Sequence, residues 1–147
     1  MKMNKKQYEQ YVQSKSPKSP MWKNLFNAFW VGGLICTVGQ AILNGFQAVI
    51  SDETDAATAT CIAMIFLGSL LTALSLYDNI AKIGGAGTLV PITGFSNAVT
   101  SPAMEFKSEG FILGVGAKLF TIAGPVIVYG LAASMVYGMI YWLSTAL

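Results

Sequence analysis

Apolar side chains fill residues 25–50 and 56–77 almost without a break, and only the acidic turn 51–55, with Asp52, Glu53 and Asp55, parts them. Each stretch is long enough to cross a hydrocarbon core, which takes about 20 residues as a helix. Trp22, Phe26 and Trp30 fall where aromatic rings anchor a span at the lipid–water boundary. Residues 111–147 form another apolar run whose one charge is Lys118. As a single helix that run would extend roughly 55 Å, against a core of about 30 Å. It is therefore expected to divide at Gly124 and Pro125, leaving residues 125–142 as the last full span. Tyr141 and Trp142 suit its exit end.

Between the second and last runs lie residues 84–103, GGAGTLVPITGFSNAVTSPA, with no charge at all. Gly84, Gly85, Gly87, Pro91, Gly94 and Pro102 would repeatedly interrupt a regular spanning helix. Lipid offers no hydrogen-bond partners, so irregular backbone at membrane depth is packed inside protein or lines a wet cavity. The segment has only about 15 residues compatible with the core, which suits a re-entrant element better than a full span. Pro91 is well placed in the first turn of a helix, and Ser101–Pro102 is a second candidate start. Free N–H groups at such starts favour anions. The expected fold is an all-α integral membrane protein with about three full transmembrane helices. Two half-length or re-entrant segments, near residues 84–103 and 110–123, complete it; four full spans is the alternative. Residues 1–23 form a lysine-rich tail, and residues 24–147 a single polytopic membrane domain.

Composition sharpens this picture. Charged residues make up 11% of the 147 positions, against about 25% in soluble domains, which excludes an ordinary soluble fold. Lys2, Lys5, Lys6, Lys15, Lys18 and Lys23 precede the first apolar run, and the chain has no arginine and no histidine. That asymmetry places the N-terminus on the cytoplasmic side and the acidic turn across the membrane. It argues against nucleic acid, which calls for an arginine-bearing basic face, and leaves attraction to acidic lipid as a secondary role. The first apolar run is too long for the roughly 7–15-residue core of a secretory leader. Cys36 and Cys61 sit inside apolar runs and read as small packing residues, with no metal site and no cofactor expected.

Several constellations carry candidate chemistry. Gly33, Thr37, Gln40, Asn44 and Gln47 recur at helical spacing on the first span. Polar groups in lipid must face protein or water, so this stripe is either the wall of a hydrated path or a set of interhelical hydrogen bonds. Gly130, Ser134 and Gly138, and the pair Gly110 and Gly114, are small residues four apart that suit close helix packing. Lys118 must snorkel, pair with Glu105 or Glu109, or face a wet cavity, where it would attract an anionic solute. Glu105 and Glu109, one helical turn apart around Lys107, read as a solvated turn; no nucleophile and base accompany them, so no enzyme is expected. Residues 84–87 lack the Gly-Lys-Ser/Thr ending of a phosphate loop. The candidate solute path comprises Gln40, Asn44, Thr88, Thr93, Ser96, Asn97 and Lys118. Candidate hinges are Gly84, Gly85, Gly87, Pro91, Gly94, Gly124 and Pro125.

The run AKIGGAGTLVPITGFSNAVTSPAMEFKSEGF (residues 81–111), followed by GVGAKLFTIAGPVIVYG (114–130), resembles the SpoVA membrane-protein family of spore-forming Firmicutes. VGGLIC (31–36) with Gly39 and Gln40 is similar to that family's first helix, and the lysine-rich tail is more typical of its AC type than of the shorter AE type. The resemblance covers most of the chain. It implies a subunit of a spore inner-membrane channel that moves dipicolinic acid, together with calcium, during sporulation and germination. It also implies tension responsiveness and a hetero-oligomer with an AE-type membrane subunit and soluble AD-type proteins. A non-conducting membrane scaffold that docks soluble partners is the alternative reading. No residue is carried over from the family as a ligand.

Overall fold

The computed structural model describes residues 4–16 and 19–146, and these are helices and turns without a strand. Lys2 and Lys18 of the tail lie outside the described residues. The first helix, α1 (Lys5–Lys15), is polar and closed at its start by a capping box, in which the Asn4 N–H donates to Gln7 Oε1 at 3.2 Å.

Three apolar helices are long enough to cross a membrane. The first, α2 (Met21–Gln47), follows Pro20 and extends roughly 40 Å at 1.5 Å per residue. The second, α3 (Glu53–Ala73), starts sharply because the Asp52 carboxylate accepts from the N–H groups of Thr54 and Asp55 at 2.9 and 3.0 Å. Glu53 and Asp55 add negative charge at the positive end of its dipole. The apolar run 56–77 suggests a longer helix, but α3 stops at Ala73. Ser75 adopts a left-handed conformation (φ 57°) and turns the chain. Tyr77 is thereby carried into a separate short helix, α4 (Leu76–Gly84), and buried.

The glycine-rich segment then folds as a 3-10 turn (Gly85–Thr88) followed by α5 (Pro91–Glu105), with Pro91 in the first helical turn as expected. At roughly 22 Å, α5 is too short to cross a core of about 30 Å. The turn packs against α2: a Cβ on Gly87 would collide with the backbone carbonyl of Ala28, and one on Gly84 would meet Val31 Cγ1 at 2.6 Å. Only glycine permits that approach. The third spanning run covers Phe111–Thr145 and includes a π-helical turn (Phe111–Gly116) leading into α6 (Phe120–Ala146).

Three expected interruptions fall elsewhere. Pro102 does not start a helix; it lies inside α5, which continues past it because the Pro102 carbonyl still accepts from Phe106 N–H at 3.0 Å. Helix α5 also runs through Gly94. Gly124 and Pro125 do not divide the last run, for α6 passes through both. The chain turns instead just before this run, where Gly110 takes φ 96° and the π-helical turn follows. Gly110 thus serves a turn; a Cβ on it would touch nothing, whereas one on Gly114 would collide with the Phe106 carbonyl.

Candidate functional site

The densest packing in the protein joins α3 to the half-length α5. Gly68 lets the helices close: a Cβ there would lie 3.1 Å from Ser96 Cβ and 3.2 Å from the Thr93 carbonyl. Across this contact runs a seam of hydroxyls. Ser96 Oγ donates to the Ile65 carbonyl at 2.8 Å and lies 2.8 Å from Ser69 Oγ, while Thr100 Oγ1 donates to Ser69 Oγ at 3.1 Å. Each hydroxyl has one proton, so the direction is fixed: Thr100 to Ser69, Ser69 to Ser96, and Ser96 to the backbone of α3. One turn further along α3, Thr72 Oγ1 sits 2.7 Å from the Gly68 carbonyl and 2.8 Å from Asn97 Oδ1.

The seam contains Ser96 and Asn97, singled out from the sequence, together with Ser69, Thr72 and Thr100, which were not. The missed signal is the three-residue step from Ser69 to Thr72 on an otherwise apolar span, which puts two hydroxyls on one helix face. Thr88 and Thr93 are also inside the protomer. Thr88 Oγ1 donates to the Gly85 carbonyl at 2.9 Å, and its own carbonyl accepts from the Tyr77 hydroxyl at 2.7 Å. Thr93 is 6% exposed and its hydroxyl has no hydrogen-bond partner. It borders an apolar cavity of about 500 Å³ framed by Val31, Ile35 and Val38 of α2, Met64 and Leu67 of α3, and Tyr77.

The polar stripe of α2 lies elsewhere. The face of α2 that packs on the protein holds Ala28, Val31, Gly32 and Gly39, which meet Gly87, Gly84, Gly87 and Met64 in turn. At about 100° per residue, Gly33, Thr37, Gln40, Asn44 and Gln47 fall on the far side of the helix, and all five are exposed. Within the stripe, Thr37 Oγ1 donates to the Gly33 carbonyl at 2.8 Å and Gln40 Nε2 donates to Asn44 Oδ1 at 2.8 Å. Gln40 and Asn44 are both exposed, and among the described residues their remaining amide N–H and C=O groups make no hydrogen bond.

Lys118 is half-buried, with its ammonium 5.0 Å from the centre of the Phe106 ring. Neither Glu105 nor Glu109 pairs with it; among the described residues the ion pair is Lys82–Asp78, at 2.7 Å and well exposed. The structure therefore does not gather the seven candidate path residues. Gln40 and Asn44 face outward from α2, four others lie inside around α5, and Lys118 rests on Phe106. Gly130, Ser134 and Gly138 line an exposed face of α6, where no atom of the protomer would meet a Cβ on either glycine.

Three spanning helices, a half-length helix locked to one of them and a polar stripe turned outward define a small polytopic α-helical membrane protein. Within that class the chain belongs to the SpoVAC/SpoVAEB sporulation membrane protein family, which matches residues 24–140. It is 42% identical over 137 residues to stage V sporulation protein AC of Bacillus subtilis (strain 168), covering 92% of this chain and 91% of that protein. No solved structure matches it.

Proposed function

We propose that this protein is a membrane subunit of a spore inner-membrane channel for dipicolinic acid and calcium. It works with an AE-type membrane subunit and soluble AD-type SpoVA proteins, and its N-terminus lies on the core side. The observation that carries this reading is the outward stripe of Gln40 and Asn44 on a spanning helix. Free amide groups at that depth are costly against lipid and favourable against water. Dipicolinate is an aromatic dicarboxylate. Neutral amides can replace part of its hydration without holding it so strongly that it cannot leave.

In this reading Gln40 and Asn44 line the route. The seam of Ser96 and Asn97, with Thr88 and Thr93 beside it, fixes α5 and the elements packed on α2. Lys118 draws the dianion toward the membrane. The test is dipicolinate flux from liposomes holding this protein with and without the AE-type subunit, at rest and under osmotic stretch. Flux that appears with the protein and falls in Gln40→Leu/Asn44→Leu supports the reading. Absence of flux under all four conditions favours a non-conducting scaffold.

A further inference from the structure

We propose that the cavity between α2, α3, α4 and α5 holds one acyl chain of a phospholipid from the leaflet on the N-terminal side, with an ester carbonyl of that lipid accepting from the Thr93 hydroxyl. The proposal is independent of whether α2 lines a solute route.

The walls decide what can enter. The cavity of about 500 Å³ is lined by apolar residues of α2 and α3, by Tyr77 and Ile80 of α4 and by Thr93 of α5, with no charged residue among the described ones. The Tyr77 hydroxyl is already given to the Thr88 carbonyl. Thr93 is 6% exposed, and among the described residues its hydroxyl has no partner. A buried donor without an acceptor carries a desolvation cost that an incoming acceptor recovers. Threonine in a helix populates two χ1 rotamers, so the hydroxyl can turn to the cavity wall. Water is a poor answer, because a buried water takes about three polar partners and the described wall offers Thr93 alone. A further helix is too bulky: at a diameter of about 10 Å, a 10 Å length displaces roughly 800 Å³. A slender apolar chain that carries one acceptor suits both the walls and the hydroxyl.

The course of the cavity through the membrane identifies that chain. Helix α3 is about 31 Å long, close to the thickness of one hydrocarbon core. The Thr93 carbonyl packs on Gly68, which lies about 7.5 Å inside the end of α3 at Ala73. Met64 lies about 14 Å inside the same end, near mid-membrane. The cavity therefore runs from the upper part of one leaflet to the bilayer centre, the path of a single tail. Of the groups on a phospholipid, only the ester carbonyls stand at the top of a tail, where they can be drawn toward Thr93. The cavity is open to lipid: Leu34, Val38 and Leu70 on its border are 54%, 49% and 40% exposed, whereas Met64 and Tyr77 are 5% and 3% exposed.

The test is photolabelling of the full chain in liposomes doped with a phospholipid that carries a diazirine midway along one tail, with adducts mapped by peptide mass spectrometry. Outward residues such as Phe29 and Val128 face lipid directly and serve as the reference. The expected result is a further adduct at Met64, which a tail reaches by entering the cavity. Adducts confined to outward residues would overturn the proposal and leave the cavity to a side chain of another protein. Ile35→Trp, which fills the cavity, should remove the Met64 adduct and leave the Phe29 adduct unchanged; a Met64 adduct that survives it overturns entry through the cavity. Should that variant fail to insert, Thr93→Val keeps the side-chain shape and removes only the hydroxyl. It should lower the Met64 adduct by about twofold or more relative to Phe29, and an unchanged ratio overturns the carbonyl contact. A diazirine fatty acid that labels Met64 where the phospholipid does not would move the site to a free acid and overturn the assignment to a membrane lipid.

Discussion

Thr72 on α3 and Asn97 on α5 meet at 2.8 Å across a contact in which neither side chain reaches bulk water freely. Thr72 has one proton, and the Gly68 carbonyl lies 2.7 Å away to receive it. The one Thr72 proton is therefore shared between two acceptors, the Gly68 carbonyl and Asn97 Oδ1. A half-length helix has too little apolar surface to hold itself in a bilayer by length alone, and this bond ties it to a full span.

The coupling is measurable. Thr72→Val and Asn97→Leu should each lower stability, and the double variant should lose less than their sum. Interhelical hydrogen bonds inside membranes average about 0.6 kcal/mol and reach about 1.7, so the coupling is expected in that interval. A double-mutant cycle by thermal unfolding in detergent reads it, and strict additivity would count against a direct bond.

Glycines divide into those that admit a neighbour and those that face nothing. Gly87→Ala would drive a methyl group into the Ala28 carbonyl. Backbone cannot yield as a side-chain tip can, so a loss of about 1–3 kcal/mol is expected, the usual cost of overpacking. Gly130→Ala meets no atom of the protomer and should leave monomer stability within about 0.5 kcal/mol. Equal losses in both variants, by unfolding temperature and by monodispersity on gel filtration, would contradict the packing described.

Much of this arrangement is legible in the amino-acid order, and the remainder has a definite physical cause. The three spans follow from run length, since the core thickness sets the number of residues required. Pro91 correctly marks the start of α5, because a first turn needs no N–H from that position. Pro125 misleads because the helical residues on both sides of it carry the 27-residue α6 through a site that local preference disfavours. Ser75 is invisible as a turn, because a left-handed serine has no compositional mark. The stripe on α2 is plain from spacing, yet which way it faces depends on where Gly84 and Gly87 dock, a contact between residues more than fifty positions apart.

Lys118 supplies a test of charge against packing. Its ammonium lies over Phe106 at 5.0 Å, a contact worth about 0.5–2 kcal/mol depending on exposure. Lys118→Met should keep the aliphatic packing, lose the cation and lower stability by about 0.5–1 kcal/mol. Phe106→Leu should give a similar loss, with no additional loss in the double variant. If the charge also draws the dianion, Lys118→Met reduces dipicolinate flux while Phe106→Leu does not. Thermal unfolding and liposome flux on the same four proteins separate the structural role from the electrostatic one.

The outward amides allow the sharpest separation of fold from function. Gln40 and Asn44 touch each other but no other part of the protomer through hydrogen bonds, so replacing both with leucine removes no tie between helices. Leucine is favoured in lipid, and the isolated protomer should be unchanged in stability to within about 0.5 kcal/mol. A solute that loses amide contacts midway through a route faces a higher barrier, and about 1.4 kcal/mol is tenfold in rate. Flux of dipicolinate is therefore expected to fall by about tenfold or more in Gln40→Leu/Asn44→Leu, with the unfolding temperature and membrane insertion preserved. A double variant that conducts like the parent would remove α2 from the route. One that fails to insert would show instead that the amides are needed for assembly, and Gln40→Asn/Asn44→Gln, which keeps both donors and acceptors, should then restore insertion.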